Sequence, residues 1–192
     1  MQQLIALARL TLRDPRIAAA ALLEVRLTRG ELLQLAVVVA SLSVLFSALV
    51  AFLASGEADP LGHLMLRNPL LFAVIQFMTM MLTVIMVQMV GRMMGGRGSF
   101  DQSLILIAWL QFYMLLVQVI IVPLTLLVPG LALVLNLAAY IYFLWVLVNF
   151  IAGLHGFRSL MKVLAGVLAT SFGLSLVLMM ILLTLGVNVE GV

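Results

Sequence analysis

Apolar residues run almost without interruption through five stretches of this chain, roughly residues 32 to 54, 69 to 91, 103 to 128, 131 to 153 and 163 to 186. None of the five contains Lys, Arg, Asp or Glu. Each meets the length of about 20 residues that a helix needs to cross a hydrocarbon core. Because lipid offers no partner to a backbone amide or carbonyl, runs of this kind are read as helices. The third and fourth are nearly continuous from Leu104 to Phe150, too long for one crossing, and Pro129-Gly130 is the natural break between them. A tight helical hairpin follows. Pro123 falls inside the third run, where it lacks an amide donor and is expected to kink the helix.

Local signals mark four helix starts. Thr28 with Glu31 and Ser99 with Gln102 have the capping-box spacing, in which a hydroxyl and a later side chain each satisfy an orphan amide. Asp14-Pro15 and Asn68-Pro69 place a cap residue before a proline suited to the first helical position. Residues 2 to 13 and 15 to 27 interleave Leu, Ile and Val with Arg. They are expected to form amphipathic helices in the headgroup region. The predicted architecture is all-α and polytopic: an amphipathic segment, residues 1 to 31, then a five-helix transmembrane domain, residues 32 to 192.

Charge adds a direction to this layout. Arg9, Arg13, Arg16, Arg26 and Arg29 precede the first run, Arg92 and Arg97 separate the second and third, and Arg158 and Lys162 separate the fourth and fifth. Arg67 alone breaks the alternation. Since short loops rich in Lys and Arg stay cytoplasmic, the N-terminus and the loops at 92 to 102 and 154 to 162 are expected inside. Ser55 to Asn68 and the tail from Gly186, with Glu57, Asp59 and Glu190, are expected outside, which puts the C-terminus in the periplasm if the membrane is a bacterial inner one.

Composition excludes much of the remaining chemistry. The chain is 66% hydrophobic and 9% charged, with mean hydropathy +1.32, against about 25% charged in soluble domains. The high pI reflects few charges and not a dense basic patch, so anionic lipid is the expected partner and nucleic acid is not. With no cysteine, thiol catalysis and cysteine-held metals are excluded. No small-residue cleavage site follows an uninterrupted apolar core, so the N-terminus is expected to be retained.

The most distinctive polar stretch is Gly95-Gly96-Arg97-Gly98-Ser99-Phe100-Asp101-Gln102. A Gly-Gly-basic-Gly-Ser-Phe turn between the second and third of five spans, followed by Trp109-Leu110-Gln111-Phe112, resembles bacterial members of the Yip1 family. The stretch Leu154-His155-Gly156-Phe157-Arg158-Ser159 strengthens the resemblance, which covers roughly residues 10 to 186. It implies a five-helix membrane protein with a cytoplasmic N-terminus. Eukaryotic relatives act in vesicle traffic and contact Rab-type GTPases, but this chain lacks their long N-terminal region, and GTPase binding is not carried over.

Several residues invite a functional reading beside a structural one. Gly95, Gly96 and Gly98 turn the chain before the Ser99 cap, and with Arg97 they offer a place for a lipid phosphate. The Gly-Lys-Ser/Thr ending of a nucleotide loop is absent. Ser99 and His155 form a conceivable nucleophile and base, without the orienter and oxyanion donors a hydrolase needs. Met86, Met89 and Met93 share a helical face and could ligate Cu(I), although adaptable packing is the commoner use of Met. Gln76, Thr79, Gln88, Gln111, Gln118, Asn136, Tyr140 and Asn149 lie within spans. They read either as interhelical hydrogen bonds or as a polar path. Ala165, Ala169 and Gly173 recur at intervals of four, a pattern for close helix packing within the bundle or between protomers. The resulting expectation is a non-enzymatic protein, without cofactor or metal, that organises lipids or partners. Its candidate contacts are Arg92, Gly95, Gly96, Arg97, Gly98, Ser99, His155, Arg158 and Lys162. A small transporter, channel or lipid mover, an accessory subunit and self-association stand as alternatives.

Overall fold

The computed structural model describes residues 2 to 53 and 67 to 184. The expected outer acids Glu57, Asp59 and Glu190 lie outside the described residues. Among the described residues seven α-helices follow in order: α1 Gln2–Arg13, α2 Pro15–Leu23, α3 Arg29–Leu53, α4 Pro69–Met93, α5 Phe100–Leu127, α6 Ala132–His155 and α7 Leu160–Thr184. A 3-10 turn at Pro129–Leu131 joins α5 to α6, as the Pro-Gly break predicts. Among the described residues, four helical stretches are long and apolar enough to cross a membrane: Arg29–Leu53, Pro69–Met93, Phe100–Leu127 and Pro129–His155. α7 adds a shorter apolar stretch, Leu160–Gly173. The chain is an all-α polytopic membrane protein.

Three of the four expected caps form. Asp14 accepts the amides of Arg16 and Ile17 at 3.1 Å each. The Glu31 carboxylate accepts the amide and hydroxyl of Thr28, while Thr28 Oγ1 accepts the Glu31 amide at 3.3 Å. Ser99 and Gln102 form a complete capping box. Asn68 is the exception: its side chain makes no cap hydrogen bond, although Pro69 does begin α4. α5 continues through Pro123 to Leu127.

α3 packs on α4 and α5, α5 also meets α4 and α6, and α6 meets α7. The buried residues concentrate at the end that carries the basic loops. Leu104 to Leu110 of α5, Val146 to Leu154 of α6, and Leu32, Ala36, Val39 and Ala40 of α3 supply most of them. Further along, Leu116, Ile120 and Leu124 of α5 and Leu133, Leu137 and Ile141 of α6 are exposed. Such exposure is cheap in lipid, where apolar side chains lose little by facing acyl chains, so packing and hydrogen bonding decide which helices associate.

The N-terminal helices are more than a headgroup-level arm. α2 lies against α5 and α6, and Ala18, Ala19 and Leu22 belong to the central core. A Cβ on Gly153 would stand 3.2 Å from that of Ala19, so the pair of small residues lets α2 approach α6. Trp109 Nε1 donates to Thr11 Oγ1 at 3.0 Å, and the Thr11 hydroxyl donates to the Leu7 carbonyl at 2.9 Å. Both side chains are buried. A single buried chain of hydrogen bonds thus pins α1 to α5. The small-residue stripe of α7 departs from within-bundle packing: Ala165, Ala169 and Gly173 are exposed. Gly166, one position along, faces inward, where its Cβ would stand 2.9 Å from Met94 Sδ.

Candidate functional site

The two loops singled out in the sequence meet at one side chain. α6 ends where Gly156 takes a left-handed conformation, φ +73°, and the amides of Gly156 and Phe157 both return to the Ala152 carbonyl. His155, in the last turn, is 96% buried by its surroundings, with 4% exposure. Its Nδ1 accepts the Gly98 amide at 3.1 Å, and its Nε2 lies 3.1 Å from the Val87 carbonyl oxygen. A carbonyl only accepts, so Nε2 carries the proton and Nδ1 stays free to accept: the partners select one neutral tautomer. The Phe157 ring stacks on the imidazole, with centroids 5.5 Å apart and planes inclined by 25°.

Three glycines make room for that ring. A Cβ on Gly91 or on Gly96 would collide with the His155 ring, and one on Gly98 would stand 2.7 Å from its Cε1 and 2.8 Å from Leu154 Cγ. Gly95 differs, being open in space but held at φ +90°. Gly95 is therefore required by backbone conformation, and Gly91, Gly96 and Gly98 by volume. From the sequence, Gly91 and Gly95 at the end of the second run mark only a face for close helix approach, and no local signal links Gly91 to a histidine 64 positions away.

This geometry changes what the loop offers a ligand. Gly95 donates to Arg92 O at 3.0 Å, Gly96 to Gly91 O at 2.8 Å, Gly98 to His155 Nδ1, and Ser99 to Gln102 Oε1 at 3.0 Å. Those four amides already have partners within the chain. Nor do Ser99 and His155 pair as nucleophile and base: Ser99 Oγ accepts the Gln102 amide, and both imidazole nitrogens face backbone groups. The candidate copper face also separates, since Met86 lines an apolar cavity while Met89 and Met93 point outward.

Charge at this end remains available. Arg9, Arg13, Arg16, Arg26, Arg29, Arg92, Arg97, Arg158 and Lys162 are all exposed. Among the described residues the one ion pair is Arg29 Nε to Asp101 Oδ2, 3.3 Å, which ties the start of α3 to that of α5.

A second site begins in the opposite half of the bundle and reaches its middle. A cleft of about 610 Å³ opens between α4, α5 and α6. Of the eight polar residues noted within spans, six line it: Gln76, Thr79, Gln111, Gln118, Asn136 and Tyr140. The other two do not; Asn149 is buried elsewhere and donates to the Trp145 carbonyl of its own helix at 2.8 Å. Of the six, Gln111 alone bridges helices through its side chain, donating to Ser43 Oγ at 3.3 Å. Thr79 and Asn136 donate to carbonyls of their own helices. Interhelical bonding therefore accounts for one of the group. Thr83 and Leu147 form the boundary between this cleft and a smaller apolar cavity, about 130 Å³, beneath the histidine.

A family model described as Yip1 domain matches residues 9 to 183, nearly the whole chain. No curated protein matches, and no solved structure matches.

Proposed function

The chain belongs to the Yip1 family, and from that premise we propose a non-enzymatic membrane protein that organises anionic lipids, and partners gathered on them, through its basic end. That end would face the cytoplasm, with the N-terminal helices inside, by the rule that short Lys- and Arg-rich loops are retained there. A bacterial inner membrane is the proposed location. The observation that carries the reading is the collection of nine exposed cations at one end against a single described ion pair.

The tertiary structure favours this role in a second way. His155 clamps the loop bearing Arg97 to the turn bearing Arg158, so these cations are displayed from a packed platform and not from free loops. Leu4, Ile5, Leu12 and Ile17 are exposed on α1 and α2 beside Arg9, Arg13 and Arg16. Apolar residues that enter the headgroup boundary beside cations that meet phosphate are the composition of an interfacial helix. Each cation near an anionic surface contributes about 1 kcal/mol at physiological ionic strength.

The test is flotation of nanodisc-held protein with phosphatidylglycerol vesicles. Replacing Arg92, Arg97, Arg158 and Lys162 together by Gln should abolish most binding, as should raised salt, while binding to zwitterionic vesicles stays low throughout. Equal flotation of the variant and the parent chain on anionic vesicles would refute the proposal.

A further inference from the structure

From the polar cleft between α4, α5 and α6, we infer a binding site for the uncharged head of a neutral glycerolipid of the diacylglycerol class, entered sideways from the bilayer. The site is independent of the cationic end and lies toward the other face. Taking about 1.5 Å per residue of helix, Asn136 lies about 6 Å along α6 from its outer end, and Gln76 about 10 Å along α4. On the same scale Gln111 lies about 24 Å from the outer end of α5. The polar groups thus form a ladder that begins near the outer boundary and reaches the middle of the bundle.

The volume suits a ligand. At about 610 Å³ the cleft falls within the roughly 300–1,000 Å³ usual for small-molecule sites. A seam closed by a neighbouring helix would leave little such space. Its walls explain the two-part chemistry. Ile107, Val117, Ile121, Phe143 and Leu147 offer apolar surface for the first methylenes of an acyl chain. Gln76, Gln118 and Tyr140 carry amide and hydroxyl groups with no hydrogen-bond partner among the described residues, and Asn136 keeps its side-chain carbonyl free. These groups supply both donors and acceptors.

Gln118, Asn136 and Tyr140 are exposed on segments that the chain places within apolar runs. Polar groups facing hydrocarbon without a partner carry a desolvation cost, which a ligand bearing ester carbonyls and a hydroxyl relieves. No Asp, Glu, Lys, Arg or His lines the cleft. A phosphate drawn into it would have no counter-charge, so the neutral head is preferred over a phospholipid head. Toward the basic end the cleft is lined by Ile107, Leu110 and Leu147, all of them buried.

The experiment is photolabelling of the full-length chain in nanodiscs by a diacylglycerol carrying a diazirine in one acyl chain, followed by peptide mapping. Labels should concentrate on α4 to α6 around Gln76, Gln118 and Tyr140. Unlabelled diacylglycerol should compete, and phosphatidylglycerol with the same acyl chains should compete at least tenfold less well, on the order expected from the cost of an uncompensated charge. Replacing Gln76 and Gln118 by Leu and Tyr140 by Phe should lower labelling about tenfold, the size expected from losing two or three neutral hydrogen bonds. Ala139→Trp, which fills the cleft and keeps its polar groups, should do the same in a chain that still elutes as a single species. Binding to anionic vesicles through the four loop cations should be unchanged in all these variants, so the two proposals fail separately. Labelling spread evenly over lipid-facing helices, equal competition by phosphatidylglycerol, or crosslinks that join two copies through Gln118 and Asn136 would each overturn the inference.

Discussion

The two halves of α5 have the same apolar character and opposite fates. From Ser103 to Leu110 every side chain is buried, whereas Leu116, Val119, Ile120, Leu124 and Leu127 are exposed. α6 repeats the contrast in reverse, mostly exposed from Leu133 to Ile141 and buried from Val146 to Ile151. Hydrophobicity does not separate these segments, because lipid accepts Leu as readily as a protein core does. What differs is the presence of shape and hydrogen-bond complementarity. At the basic end three glycines admit a histidine, Ala19 meets Gly153, and Trp109 bonds Thr11; in the other half a polar cleft interrupts the packing.

The comparison breaks most severely at the glycines. Gly91→Ala puts a methyl group into the His155 ring, and overpacking of this kind is expected to cost about 2–3 kcal/mol. Thermal unfolding of the detergent-solubilised chain would measure it. The contrast sharpens if His155→Ala, destabilising alone by about 2–4 kcal/mol through its cavity and the stranded Gly98 amide and Val87 carbonyl, suppresses the Gly91→Ala penalty when the two are combined. Simple additivity of the two changes would show that the ring and the glycine do not interact.

A smaller effect is expected at the N-terminal helices. Trp109→Phe keeps the aromatic bulk and removes the donor to Thr11, costing about 1 kcal/mol. Hydrogen exchange should then rise across Gln2–Arg13 while α5 itself remains protected. Unaltered exchange in α1 would mean that packing alone retains it.

Least of all should follow from Arg29→Gln. The Arg29 side chain is 82% exposed, and an exposed pair of this kind contributes about 0–1 kcal/mol. The unfolding midpoint should barely move, and an appreciable fall would show that this ion pair, and not the histidine clamp alone, joins the helix starts at the basic end.

The legibility of the chain followed the same division. Hairpin formation at Pro129-Gly130, the Ser99 and Thr28 boxes and the Asp14 cap were readable because each depends on residues no more than three positions apart. Asn68 carried the same signal without forming the bond. The direction of the α7 stripe was not legible, since periodicity shows that Ala165, Ala169 and Gly173 align but not which way the helix turns. Likewise, the polar residues of the spans were visible one by one. That six of them surround one cleft depends on how α4, α5 and α6 are rotated against each other.

Sequence alone determined the helical membrane class, the order of the apolar segments and the gathering of cations on alternate loops, because these follow from the transfer of side chains between water and lipid. Tertiary structure alone decided that Gly91, Gly96 and Gly98 enclose His155, that α2 enters the core, and that the far half keeps an open polar recess. The physical reason is that the bilayer sorts residues by polarity and is nearly indifferent to which apolar surfaces meet. Close approach and hydrogen bonding between distant residues make that choice, and neither leaves a local mark in the chain.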